Sequence, residues 1–259
     1  MSDTFRKFGQ HQAMKDLFST NAALYAQFRP HYPDELFRFI YAQLENHESA
    51  WDVGTGNGQI AAKLARHFTT VLATDISDKQ LAEASRLPNI QYRKQAAEAV
   101  FSEQENFDLI ISAQAIHWFD FPSFYARVYE HLKPKGLLAA TGYGLIGCKD
   151  EQFNGAIRHL YYDLLGNCWD PERKYIDDAY KTIPFPFREI SCPHFAIAEQ
   201  WTANRLCAYL ETWSAVNHYK ERYEKDPLAS IRQMASAVDP EVLYDFEFPV
   251  FVRAGFAIR

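Results

Sequence analysis

No stretch of this 259-residue chain approaches the roughly 20 consecutive apolar residues of a membrane-spanning helix. The opening residues, Met1-Ser2-Asp3-Thr4-Phe5-Arg6-Lys7, carry no apolar block of the signal-peptide kind. Basic runs are missing as well, and the net charge is −6. A partner with a phosphate backbone demands a basic face, so no nucleic-acid partner and no membrane are expected. Cysteine is sparse. Cys148, Cys168, Cys192 and Cys207 are widely spaced with no Cys-x-x-Cys, so no metal site is expected and a reduced, cytoplasmic setting is. Internal repeats and low-complexity tracts are absent, and nothing in the sequence sets an oligomeric state.

Hydrophobic residues make up 47% of the chain and aromatics 15%, enough for one globular domain over residues 1–259 with insertions forming a cap. The stretch Ala50-Trp51-Asp52-Val53-Gly54-Thr55-Gly56-Asn57-Gly58-Gln59-Ile60 stands out. An apolar run containing a carboxylate leads into three glycines at alternate positions and then a helix-compatible run, which reads as strand, tight turn and helix. A second apolar run, Val71-Leu72-Ala73-Thr74-Asp75, ends in an acid placed to accept both hydroxyls of a nucleoside ribose. Ser77 and Gln80 stand in a capping-box relation at the start of the next helix.

Before the glycine turn, Tyr25-Ala26-Gln27-Phe28-Arg29-Pro30-His31-Tyr32-Pro33 reads as a stiff arm, residues 1–33 forming an N-terminal strap that either packs its aromatics on the core or closes Tyr25 and Arg29 over the cofactor, the second being the expectation here. An amphipathic helix is expected over 34–46. Strands are expected at Ile90–Lys94, Phe107–Ala113 and Leu137–Thr141, with Lys133-Pro134-Lys135-Gly136 as a turn. Gln95-Ala96-Ala97-Glu98 is placed to meet an adenine edge, with Glu98 equally readable as a solvated loop acid, while Asp108, at the start of its strand, is structural. Alternating βα units imply a doubly wound α/β sheet, mostly parallel, over a core spanning 34–145. Residues 146–241 hold a helix over Phe153–Leu165, an extended stretch at Ile183–Phe187, a sixth strand over Arg188–Ala196, and helices at Thr202–Val216 and after Asp226-Pro227. The helices between the sixth strand and the last, residues 242–259, form a cap. Ala113 and Gln114 end the fourth strand, and His117 and Trp118 follow at the edge where open α/β sheets bind ligands.

The glycine motif, Asp75, the segment after the fourth strand and the Lys-Pro-Lys-Gly turn resemble class I S-adenosylmethionine-dependent methyltransferases over roughly residues 34–145. A narrower resemblance rests on Tyr25…Arg29-Pro30-His31-Tyr32-Pro33, His117-Trp118-Phe119-Asp120, Ile183-Pro184-Phe185-Pro186-Phe187 and Thr212-Trp213-Ser214. It is to the small-molecule branch related to trans-aconitate methyltransferase. The resemblance implies a seven-stranded sheet with the last strand antiparallel. It also implies S-adenosylmethionine as cofactor, held by Gly54, Gly56, Gly58 and Asp75 with Asp52, Gln59, Ile76, Ala97, Glu98, Ala113 and Gln114 around it. Asn57 departs from the commonest form of the motif. A sulfonium methyl is already electrophilic, so alignment of a nucleophile does most of the work. A general base is needed only where the acceptor has a proton to lose. The expected activity is methyl transfer to a small molecule, a carboxylic acid among the candidates. His117 is expected on the acceptor side as base or hydrogen-bond partner, with Trp118 and Trp213 lining the pocket. The Asn/Asp-Pro-Pro-aromatic motif of nucleobase amino methyltransferases is missing from Ser112-Ala113-Gln114-Ala115. A non-catalytic donor-binding module and a nicotinamide-dependent oxidoreductase remain open alternatives.

Overall fold

Alternation along the strands divides their side chains between two cores. Leu109 and Ile111 join one apolar cluster and Ile110 the other; Leu137 and Ala139 face one way, Leu138 and Ala140 the other. Successive strand residues point to opposite faces, so a strand apolar at every position must be covered on both sides, as in a doubly wound sheet. The structure of the chain, a computed structural model, describes residues 28–101 and 105–258. Tyr25 therefore lies outside the described residues.

In chain order, helix α1 (Asp34–Tyr41) precedes β1 (Ser49–Val53), α2 (Gln59–Leu64), β2 (Thr70–Asp75), α3 (Asp78–Ala82), β3 (Ile90–Lys94) and β4 (Phe107–Ala113). A short 3-10 turn (Ile116–Trp118) leads to α4 (Phe121–His131), β5 (Leu132–Tyr143), β6 (Gly147–Cys148), α5 (Glu151–Arg158) and a π-helical extension (His159–Leu164). Then come α6 (Arg173–Asp177), β7 (Phe187–Ile190), β8 (Phe195–Trp201), α7 (Ala203–Glu211), α8 (Ser214–Tyr223), α9 (Ala229–Ser236) and β9 (Tyr244–Ala257). Strands β3, β2, β1, β4 and β5 are parallel neighbours in that order, and β9 runs antiparallel to β5. Glu247 pairs with both Gly147 and Ala198, and Ala254 with both Ala139 and Ile190. A residue has two edges, so β5 and β6 line one edge of β9 while β7 and β8 line the other. Among the described residues, nine strand segments thus make seven rows.

Several expected boundaries move. The sixth strand is not one run over Arg188–Ala196. It breaks around Pro193, which lacks the N–H a ladder needs, into β7 and β8. The Lys133–Gly136 turn is drawn into β5 as an irregularity in its pairing with β4, with Lys135 at φ 66°. The helix expected over Thr202–Val216 stops at Glu211, where Thr212 Oγ1 bonds back to the Tyr209 carbonyl at 2.6 Å. The cap comes from two stretches, one between β6 and β7 and one between β8 and β9, rather than from the second alone. Asp108 is structural, accepting the amides of Glu48 and Ser49 at 3.0 Å each and pairing with Lys133.

Candidate active site

The parallel strands deliver their carboxyl ends to one edge, and there the glycine turn folds back on β2. The amides of Gly54 and Thr55 both donate to the Thr74 carbonyl at 2.9 Å. All three glycines have positive φ, 71°, 56° and 79°, but they do different things. A side chain on Gly54 would run into Ala115 and Phe119, and one on Gly58 into Tyr92. These two permit close packing within the protein. A Cβ on Gly56 would meet nothing nearer than Gln80 Oε1 at 3.8 Å, so this glycine keeps space clear in front of the turn.

Two carboxylates flank the turn. Asp75 accepts the Gly56 amide at 2.8 Å and the Ser77 amide at 2.9 Å. Burial raises its pKa against these bonds. Asp52 is 1% exposed and accepts Thr55 Oγ1 at 2.5 Å. Its Oδ1 has no hydrogen-bond partner among the described residues, and burial pushes its pKa up to about 7. Ile76 presents an exposed side chain beside Asp75. Ala97 is buried in the core, and Glu98 accepts the Asp120 amide at 2.8 Å, tying its loop to the segment after β4.

The same edge opens into a cleft. Gln114, at φ 54°, bridges the ends of β4 and β5, its amide on the Thr141 carbonyl at 2.9 Å and its Nε2 on the Tyr143 carbonyl at 3.0 Å. Ala115 and Phe119 lie against Gly54, so the turn carrying His117 rests on the glycine loop. Gln114, His117, Trp118 and Tyr143 line the cleft from the core side, joined by Arg29 from the segment before α1. Trp169, Asp170, Arg173, Tyr209, Trp213 and Asn217 line it from the cap. His117 is 5% exposed, and its Nδ1 lies 3.0 Å from the Tyr180 hydroxyl. Burial first, then the guanidinium charges of Arg173 and Arg29, lower its pKa to about 3. It is therefore neutral throughout the pH 6–8 range, and the base role open to it in the sequence loses its titration.

The sequence profile of the methyltransferase domain family matches residues 51–140. A protein of Dictyostelium discoideum described as a methyltransferase is 31% identical over 245 residues, 92% of this chain and 93% of that protein. The chain belongs to the class I S-adenosylmethionine-dependent methyltransferases. A solved structure from Anaeromyxobacter dehalogenans, described as a type II methyltransferase, is 36% identical and superposes with a TM-score of 0.81, covering 89% of this chain and all (100%) of that one. The trans-aconitate 2-methyltransferase of Deinococcus radiodurans is 39% identical over 93 residues, 34% of this chain and 35% of that enzyme. Family membership removes the oxidoreductase alternative.

The residues at the turn of this methyltransferase fit its cofactor. The clear space before Gly56 and the orphaned oxygen of Asp52 are what a cationic ligand lying on the loop would use. Asp75 keeps further lone pairs beyond the two amides it accepts. The cap residues Trp169, Asp170, Arg173 and Tyr209 were not singled out in the sequence, nor was Tyr180. They converge only through the tertiary fold, and no local spacing marks them. Among the described residues no cluster of His, Cys, Asp or Glu could hold a metal, and no helix is long and apolar enough to cross a membrane.

Proposed function

We propose that this methyltransferase esterifies a small carboxylic acid in the cleft beside His117. Two guanidinium groups, one from the strap and one from the cap, converging on a cleft with a neutral histidine carry this reading. Arg29 is anchored by Nη1 on the Tyr143 hydroxyl at 2.8 Å. Arg173 is oriented by Nε on the Tyr161 hydroxyl at 2.7 Å, with Asp177 at 3.6 Å, and lies over the Trp169 ring at 4.7 Å. Rigid planar forks of this kind match carboxylates. Among the described residues one acid, Asp170, shares the cleft and accepts Ser214 Oγ at 3.0 Å. Asp170 and the indoles would also suit a cationic acceptor, but the Trp169 face is already covered by Arg173.

Bound S-adenosylmethionine supplies a methyl group already electrophilic on its sulfonium. In the proposed reading Asp52, Gly56 and Asp75 bind the donor, with Gln59 and Ile76 from the same loop and strand end, and Ala97, Glu98, Ala113 and Gln114 bordering it. Arg29 and Arg173 orient the acid, His117 supplies a hydrogen bond, and Trp118 and Trp213 exclude water. A carboxylate has no proton to lose, which agrees with a histidine that does not titrate near neutrality. A cytoplasmic setting is part of the same reading, supported by the scattered cysteines.

Trans-aconitate and small aromatic acids, each beside its amide, are the first acceptors to assay with labelled donor. Arg173→Gln should raise the acid's KM roughly ten- to hundredfold, the worth of about 1.5–3 kcal/mol for a charge-assisted hydrogen bond, while changing kcat far less. Equal use of acids and amides, or an unchanged KM in the variant, contradicts the reading.

A further inference from the structure

The segment joining α6 to β7 turns through two successive left-handed residues, neither of them glycine. Ala179 has φ 51° and Tyr180 has φ 61°, a region that side chains on L-residues avoid. Such conformations persist only where the surroundings over-determine them, and they gather at functional sites. Here the surroundings are explicit. Arg253 on β9 donates Nη1 to the Tyr180 carbonyl at 3.0 Å and to the Ile183 carbonyl at 2.6 Å. Its other nitrogens grip Glu189 on β7 at 2.8 and 2.9 Å. This fork holds the Glu189 carboxyl below its usual range. The Tyr180 amide donates to the Tyr175 carbonyl at 2.7 Å, and its ring packs edge-on against Phe251 with centroids 4.8 Å apart. Tyr180 is 0% exposed.

What this clamp achieves is the aim of one hydroxyl. The Tyr180 oxygen is set 3.0 Å from His117 Nδ1, across 63 residues of chain. A neutral imidazole has one donor nitrogen and one acceptor nitrogen, and the partner of one decides the role of the other. If the phenol donates to Nδ1, the proton of the ring must sit on Nε2, the nitrogen left for the cleft that His117 lines. An N–H there attracts an anionic oxygen, whereas a bare lone pair would repel it.

We propose that Tyr180 is a positioning residue that fixes His117 as the Nε2-protonated tautomer, making that histidine a hydrogen-bond donor to the acceptor. The position of the hydroxyl follows from the clamp, its donation to Nδ1 is the proposal itself, and the use of the tautomer toward an anion rests on the carboxylic-acid reading above. Burial and the guanidiniums of Arg173 and Arg29 disfavour a protonated ring; the carboxylate lining the same cleft, Asp170, is engaged by Ser214 Oγ at 3.0 Å. The neutral tautomer thus persists over the whole working range.

The test is nitrogen NMR of the full chain with labelled histidine, the His117 resonances being assigned by their loss in His117→Gln. The wild type should show the neutral, Nε2-protonated pattern from pH 5.5 to 8, favoured about tenfold, the worth of one buried hydrogen bond. Tyr180→Phe should lose that bias and give mixed or Nδ1-protonated tautomers, with unchanged calorimetric affinity for S-adenosylmethionine. A wild-type ring protonated on Nδ1, or the same tautomer in Tyr180→Phe as in wild type, overturns the proposal. A wild-type ring protonated on Nδ1 overturns the proposal by itself, so the test holds even if the variant fails to fold. Failure of every acid as acceptor, with the tautomer result intact, would instead remove the carboxylic-acid reading and leave Tyr180 in place.

Discussion

Asp52 and His117 are both buried, and burial disfavours the charged form of each, with opposite consequences for the pH dependence of stability. The folded-state pKa of Asp52, about 7, lies above its ordinary 3.8. Folding therefore favours the protonated carboxyl, a contribution fully present below about pH 4 and lost as pH rises through 7. For His117 the value falls from 6.5 to about 3, so its contribution is present above pH 6.5 and is lost as pH falls towards 3. The Asp52 effect can be isolated. Ligand-free Asp52→Asn, which keeps an acceptor for Thr55, should be more stable than wild type at pH 8 by at least about 1.4 kcal/mol, one pKa unit's worth. The gain should vanish near pH 4. Denaturant unfolding at the two pH values measures it, and a pH-independent difference would contradict the assignment. At this scale the sequence was informative about position and less so about role. Asp52, Asp75 and the glycines could be placed from local spacing because a strand-turn-helix is a local object. That Gly54 and Gly58 serve packing while Gly56 faces open space depended on Ala115, Phe119 and Tyr92, which no spacing connects to them.

Among the elements, short apolar runs bounded by turn residues revealed the core strands, since strands covered on both faces are apolar throughout. The pattern failed where side chains reshape the backbone. Trp213 leaves the helix at ψ 132°, which splits α7 from α8 and sends its indole to the cleft. Pro193 splits the sixth row. Helix α8 itself ends suboptimally, with Glu224 as an exposed left-handed cap at φ 52°. Its side chain resists that conformation, and its charge sits at the negative end of the helix dipole. Glu224→Gly should gain about 1 kcal/mol, a rise in Tm of roughly 2–4 °C for a chain of this size. An unchanged or lower Tm would show that the cap carries no strain.

At the scale of the molecule, the proposed donor cradle belongs to the sheet and the proposed acceptor cleft to the meeting of the sheet with Arg29 and the helical insertions. The first could be read along the chain because β1, the glycine turn and β2 follow one another. The second could not, because Arg29, His117, Arg173 and Trp213 come from four distant segments. Tyr25, expected on the strap, lies outside the described residues. The convergence of Arg29 and Arg173 on a neutral histidine commits the account to one kind of product. Carboxyl methylation gives a methyl ester, which mild alkali cleaves to volatile methanol; methyl groups placed on nitrogen, carbon or ether oxygen survive that treatment. The most direct measurement is therefore to incubate the chain with methyl-labelled S-adenosylmethionine and a metabolite extract, treat the products with mild alkali, and count the label that becomes volatile. Release of nearly all protein-dependent label as methanol is the predicted result, and label that stays non-volatile would contradict the account.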